Sequence, residues 1–275
     1  MKLKLSFLLL SSLLALSCKK QDARKSIVPY DLIVEGGITT YSVNQYIRLT
    51  KPVLSAGSQI QPINGAIVTV NDGETDVPFK EIKKTGVYTA VMKNNKNYNE
   101  AYTLKITYDQ KQYEATDTLL QVFPISDRYI PLSIKVNVSD VKITVPKHTF
   151  GAFFAQQWLI TQGKGTWSPG KFEENYQYSY SHQYGSPDAL NPLLPQNFIL
   201  TATITDKLTI YKFSLSRSHT AFLYNVFQET DWRGILSSVP GNIKGNISGN
   251  ASGFFFTTDV EMQKKSIVEL IKQNQ

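Results

Sequence analysis

Cysteine and histidine are scarce in this sequence, which has one Cys and three His in 275 residues. A single cysteine cannot close a disulfide within the chain or build a Cys-type zinc site, so stability has to come from packing. The Gly-Lys phosphate loop and the dinucleotide Gly fingerprint are also missing. His148, His182 and His219 lack the spacing of a ligand pair, and we expect surface or capping roles for them. The sequence therefore predicts no enzyme, no cofactor and no metal site.

The excess of positive charge is small. The chain has 29 Lys and Arg against 22 Asp and Glu, which gives a formal net charge of +7. In an exported protein this balance indicates a solvated, slightly basic surface, and we expect no nucleic-acid partner. No apolar run after the N-terminal one approaches the roughly 20 residues that a membrane-spanning helix needs.

The N-terminus has the features of an exported, lipid-modified protein. A short basic stretch precedes an apolar run at 5–16, which is too short to span a bilayer but has the length of a signal-peptide core. The small residue Ser17 follows the run and directly precedes Cys18. We predict a signal peptide at 1–17, diacylglyceryl and palmitate attachment at Cys18, and a polar, lipid-anchored linker at 18–28.

Residues 29–123 alternate between apolar and polar positions, with turn signals between the segments. Such alternation is typical of strands that bury one face. We expect Gly36-Gly37 to break the first strand and Asp109-Gln110 to form a two-residue hairpin turn. The short strands predict an immunoglobulin-like antiparallel sandwich. The predicted strands are 32–34, 46–50, 66–70, 87–91, 102–108 and 111–118.

Residues 124–275 predict a second antiparallel β domain with one packed helix, and therefore a mainly β protein. Strands are expected at 132–138 and 141–145, while 146–197 carries no pattern that assigns its fold. Segments 198–205 and 207–215 are predicted to pair with each other. Two further features lie near the C-terminus, a helix near 218–237 with N-cap hydroxyls and a mobile Gly-Asn loop at 241–253.

These segments together resemble a Bacteroidota lipoprotein family known as domain of unknown function 4249. The resemblance implies an outer-membrane lipoprotein of a kind often encoded beside TonB-dependent transporters, and it supplies no catalytic residues. The sequence departs from the family pattern at 150–184, and its Gly-Asn repeat is longer. The matching segments are 32–36, 63–73, 86–88, 101–118, 242–245 and 253–255.

One stretch is rich in aromatic residues among Ser, Gly, Gln and Asn, as binding surfaces often are. On a strand, alternate tyrosines share one face and can stack on sugar rings or anchor a protein. The other interpretation is a half-buried strand whose tyrosines cover the core edge. The candidate ligand-binding residues are Trp167, Tyr176, Tyr178, Tyr180 and Tyr184.

The sequence thus predicts a binding or accessory lipoprotein of the outer membrane, attached through Cys18. Its expected partners are the membrane, a TonB-dependent transporter, and a glycan or peptide ligand. Two alternatives stay open. One is a stand-alone, cell-surface carbohydrate-binding module that uses the tyrosines, and the other is a glycan hydrolase with two carboxylates far apart in sequence.

Overall fold

A computed structural model describes residues 30–53, 59–93, 95–126, 129–163, 166–183, 196–232 and 243–273. The predicted signal peptide, Cys18, the linker 18–28 and Tyr184 lie outside the described residues.

The mainly β fold class is confirmed, because the described residues form sixteen strands and only two helices. In chain order the elements are β1 Leu32–Thr39, β2 Asn44–Thr50, β3 Ile67–Asn71, β4 Asp76–Glu81, β5 Val87–Val91, β6 Ala101–Tyr108, β7 Lys111–Thr118, β8 Ser133–Val136, β9 Val141–Pro146, β10 His148–Ala152, β11 Gln156–Gln162, β12 Tyr178–Gln183, β13 Asn197–Ala202, β14 Lys207–Ser214, α1 Arg217–Thr230, β15 Ala251–Thr258, β16 Val260–Ser266 and α2 Ile267–Gln273.

The first sheet has eight strands in the order β15-β1-β2-β5-β4-β3-β6-β7. Its two edge strands, β15 and β7, lie near each other, and the side-chain amide of Asn246 forms hydrogen bonds with the backbone of both. The Asn246 Nδ2 group donates to Thr116 O at 3.2 Å and to Phe255 O at 2.7 Å. The curled sheet encloses one core that includes the fully buried side chains of Leu49, Leu104 and Phe255.

The prediction that Gly36-Gly37 breaks the first strand is wrong, because β1 continues to Thr39. Gly37 instead allows β15 to approach β1 in a parallel pair. A Cβ at Gly37 would lie 1.9 Å from Phe256 O, and one at Gly253 would lie 2.0 Å from Val34 O. Strand β15 lies within 124–275, the range predicted to form the second domain, although it pairs with β1.

The hairpin between β6 and β7 is confirmed. Tyr108 pairs with Lys111 across the turn, and both turn residues are left-handed, with φ of 48° at Asp109 and 60° at Gln110. Two consecutive positive φ angles are the geometry of a two-residue hairpin whose twist matches the flanking strands.

The remaining strands form a five-stranded sheet, β10-β12-β11-β14-β16, and a three-stranded sheet, β13-β9-β8. The predicted pairing of 198–205 with 207–215 is wrong, because β13 pairs with β9 while β14 pairs with β11 and β16. The turn between them carries the chain from one sheet to the other, and the Asp206 carboxylate accepts from Thr203 N at 2.7 Å. Alternation predicted both strands correctly, but it carries no information on the partner.

Helix α1 begins where expected and ends early. Ser216 is the N-cap, and its Oγ accepts from His219 N at 3.0 Å. The helix ends at Thr230 rather than near 237, and the N–H of Trp232 closes this end by donating to Phe227 O at 2.9 Å. Residues 233–242 lie outside the described residues.

Residues 243–250 of the predicted Gly-Asn loop are described, and they lie along the first sheet; their mobility stays a prediction. Ser248 N donates to Glu114 O at 2.7 Å, and Ile247 lies against the core. A Cβ at Gly245 would lie 1.8 Å from Gly253 O, so this glycine serves a close backbone contact.

The buried carboxylate of Asp117 joins β7 to the start of α1 and to β15. It is 2% exposed and accepts from the hydroxyls of Ser216 and Ser218, both at 2.6 Å, and from Thr257 N at 2.8 Å. Removal of the carboxylate would leave these buried donors without an acceptor.

We therefore expect Asp117→Ala to lower the free energy of unfolding by about 3 kcal/mol, measured by urea denaturation. Glu114→Ala is the matched control, because Glu114 is an exposed carboxylate on the same strand. Equal stabilities for the two variants would contradict the role of Asp117.

Candidate functional site

A cleft of about 700 Å³ lies between helix α1 and the five-stranded sheet. We call it the α1 cleft. Thr220, Tyr224 and Gln228 line its helical side, because residues four apart on a helix share one face. Phe154 and His182 line the opposite side.

A chain of polar side chains runs from the half-buried Lys147 through the buried Asp231 and His148 to the wall of this cleft, and we call it the histidine relay. The Lys147 ammonium lies 2.8 Å from Asp231 Oδ2, and His148 Nε2 lies 2.7 Å from the same oxygen. His148 Nδ1 in turn lies 2.9 Å from His182 Nε2. Strands β10 and β12 are parallel neighbours, which is why two histidines distant in sequence meet.

Burial governs the electrostatics of the relay. The side chains of His148 and Asp231 are 1% and 7% exposed. Burial lowers the pKa of His148, although the Asp231 carboxylate opposes this effect. Burial, together with the neighbouring His148, lowers the pKa of His182 to about 4. Both imidazoles are therefore neutral at pH 7.

Aromatic rings enclose the two imidazoles. The ring of Phe227 lies 4.7 Å from that of His148, and the ring of Trp232 lies 5.3 Å from that of His182. The Trp232 Nε1 group is buried and has no hydrogen-bond partner among the described residues. This apolar shell excludes water from the inner part of the relay and keeps its geometry fixed.

Three phenylalanines lie at the mouth of the α1 cleft, and we call them the Phe patch. Phe153 is 81% exposed, Phe123 54% and Phe154 43%. The rings of Phe123 and Phe154 are stacked with centroids 4.9 Å apart, and Phe153 meets Phe154 edge-on at 4.7 Å. A contiguous exposed aromatic surface of this kind is typical of a contact site.

The aromatic residues predicted to bind a ligand are packed largely against each other. Trp167 is 7% exposed, and its Nε1 donates to Tyr178 OH at 3.1 Å. Tyr176 donates to Glu174, and Tyr180 packs on Phe227. A role in ligand binding stays a prediction for these residues.

The expectation that the histidines are separate surface or capping residues is wrong for His148 and His182. Their separation of 34 residues, and that of 83 residues between His148 and Asp231, follows no sequence motif. Only the pairing of β10 with β12 and the end of α1 bring them together. The expectation is also wrong for His219, whose side chain is buried against the rings of Phe254 and Phe256.

The family model described as Domain of unknown function (DUF4249) matches residues 24–264. The chain belongs to this family. Both the α1 cleft and the histidine relay of this DUF4249 protein lie inside the matched range. No curated protein matches the chain. Within the described ranges of the DUF4249 protein, no helix has the length and apolar character to cross a membrane, and no three His, Cys, Asp or Glu residues cluster as metal ligands.

The three histidines make the DUF4249 protein sensitive to acid. Burial lowers the pKa of His219 to about 3, as it lowers the pKa of His148 and His182. Below the ordinary histidine pKa of about 6.5, the unfolded chain therefore binds more protons than the folded chain. The free energy of unfolding is highest above that pH and decreases as the pH falls towards 4.

We expect the free energy of unfolding to fall by on the order of 3 kcal/mol between pH 7 and pH 5, measured by urea denaturation. His219→Phe keeps the ring stack and should reduce this fall, because it removes one buried imidazole. A stability that rises on acidification would contradict this account.

Proposed function

We propose that this DUF4249 protein is a lipid-anchored accessory lipoprotein of the outer membrane, which contacts a TonB-dependent transporter and helps it capture or admit a substrate. The signal-peptide pattern and Cys18 support export and anchoring. Family membership supports the assignment to this class of lipoproteins.

The Phe patch is the observation that carries the binding role. Single exposed apolar residues are common on any protein, but here the ring of Phe154 touches both of the others and all three remain open to solvent. Aromatic residues are enriched in protein interfaces because they bury a large area at a small cost in side-chain entropy. The transporter would cover the patch and the mouth of the α1 cleft.

The two alternatives receive less support. A carbohydrate-binding module built on the tyrosine stretch needs exposed rings, whereas Trp167 is only 7% exposed and its Nε1 donates to Tyr178 OH. A glycan hydrolase needs two carboxylates that face each other across the scissile bond. Among the described residues that line the α1 cleft, none is Asp or Glu.

Removal of the anchoring residue tests the first part of the proposal. We expect Cys18→Ala to move the protein from the membrane fraction to the soluble fraction, because the acyl chains are its proposed anchor. Fractionation followed by immunoblotting measures the distribution. A Cys18→Ala protein that stays in the membrane would contradict lipid anchoring.

Capture from native membranes tests the partner. We expect a TonB-dependent transporter to be recovered with the wild-type protein, and its recovery to fall at least tenfold with Phe153→Ser, since loss of a central aromatic contact costs about 2 kcal/mol. Val138→Ser is the matched control, because Val138 is fully exposed outside the patch. Quantitative mass spectrometry measures both. Equal recovery with the two variants, or no transporter with the wild type, would contradict the proposal.

A further inference from the structure

The histidine relay determines which of its nitrogens carry protons. A carboxylate only accepts hydrogen bonds, so both partners of Asp231 must donate to it. Lys147 Nζ is one donor, and the proton on His148 Nε2 is the other. Neutral imidazole carries one proton, and His148 Nδ1 is therefore a bare acceptor.

The position of this acceptor also fixes the proton of the second histidine. A bare His148 Nδ1 lies 2.9 Å from His182 Nε2, so the proton of His182 must be on Nε2 and point towards His148. This leaves the Nδ1 of His182 without a proton. No described residue donates to that nitrogen, and His182 lines the α1 cleft. The relay thus presents a fixed hydrogen-bond acceptor at the cleft wall.

The other groups of the cleft combine polar side chains with apolar ones. Gln183, Asn225 and Gln228 offer amides that both donate and accept, and Thr220 adds a hydroxyl. Phe154 and Ala221 supply apolar contact area. Among the described lining residues the only charge is that of Arg217, so nothing there attracts a cation.

We propose that the α1 cleft binds a neutral, hydroxyl-rich ligand of the carbohydrate class, one hydroxyl of which donates to the Nδ1 of His182. A sugar hydroxyl donates and accepts at once, which matches the side-chain amides, and the C–H face of a sugar ring matches Phe154. This inference rests on the proposed function and adds the class of substrate to it. The substrate would be held beside the Phe patch.

The first test reads the protonation of His182 directly. Because the chain has three histidines, ¹⁵N-histidine labelling of the full-length protein in detergent gives three imidazole spectra, which single His→Gln variants assign. We expect His182 to carry its proton on Nε2. Asp231→Asn should move that proton to Nδ1, because an asparagine amide can donate to His148 Nε2 and reverse the chain of hydrogen bonds. A wild-type His182 protonated on Nδ1 would overturn the proposal.

The second test is a titration of the same sample with cellohexaose, maltohexaose, mannohexaose and xylohexaose, and with tetra-alanine that is acetylated at the N-terminus and amidated at the C-terminus as an uncharged peptide. We expect at least one sugar to shift the His182 Nδ1 resonance towards its protonated position, and the peptide to leave it unchanged. Binding of the peptide alone, or of none of the four sugars, would overturn the proposal.

Variants separate the cleft from the tyrosine stretch. His182→Phe should weaken binding of the responding sugar at least tenfold, and Asn225→Ala, which leaves the relay intact, should weaken it in the same direction. Tyr176→Ala, which removes the ring, should bind like the wild type. Loss of binding with Tyr176→Ala and not with Asn225→Ala would overturn the site. The titration needs no transporter, so a failed capture experiment leaves its result unaffected.

Discussion

The buried carboxylate of Asp259 lies where the first sheet meets the five-stranded sheet. We call these two sheets the two β units. Asp259 is the single residue between β15, which belongs to the first sheet, and β16, which belongs to the five-stranded sheet. Its oxygens accept from Thr40 Oγ1 at 2.5 Å, from Tyr98 OH at 3.3 Å and from Val122 N at 2.9 Å. A carboxylate that is only 6% exposed is stable only when hydrogen-bond donors surround it. The segments that carry Thr40, Tyr98 and Val122 must therefore all meet at Asp259.

The proposed functional surfaces depend on this junction. Val122 is held by Asp259, and the next residue, Phe123, reaches the stack of the Phe patch. Ser214 is held on the other side, since its Oγ accepts from Asp259 N at 2.8 Å. Helix α1 starts three residues later, with its N-cap bound to Asp117 of the first sheet. The position of the helix, and with it the helical wall of the α1 cleft, follows from contacts made by both units.

Turns and helix caps were predictable from the sequence, because adjacent residues determine them. The Asp109-Gln110 turn and the Ser216 cap follow from the preferences of a few adjacent residues, and both are confirmed. The role of Gly37 was not predictable, because a glycine that ends a strand and one that admits a neighbouring backbone look alike without the partner strand.

The histidine relay shows the same limit. His148, His182 and Asp231 come from two strands and the end of a helix, and their chemistry depends on parallel pairing of β10 with β12. The tyrosine stretch was visible because its residues are adjacent in sequence, yet the fold uses most of its rings for internal packing.

The central claim is that the two β units form one cooperative structure joined at Asp259, and native-state hydrogen exchange tests it most directly. Backbone amides of β2 in the first sheet and of β14 in the second should open with the same free energy in the wild type. Asp259→Ala should lower both values together, by about 3 kcal/mol. Protection that falls in β14 while β2 keeps its full value would contradict the account.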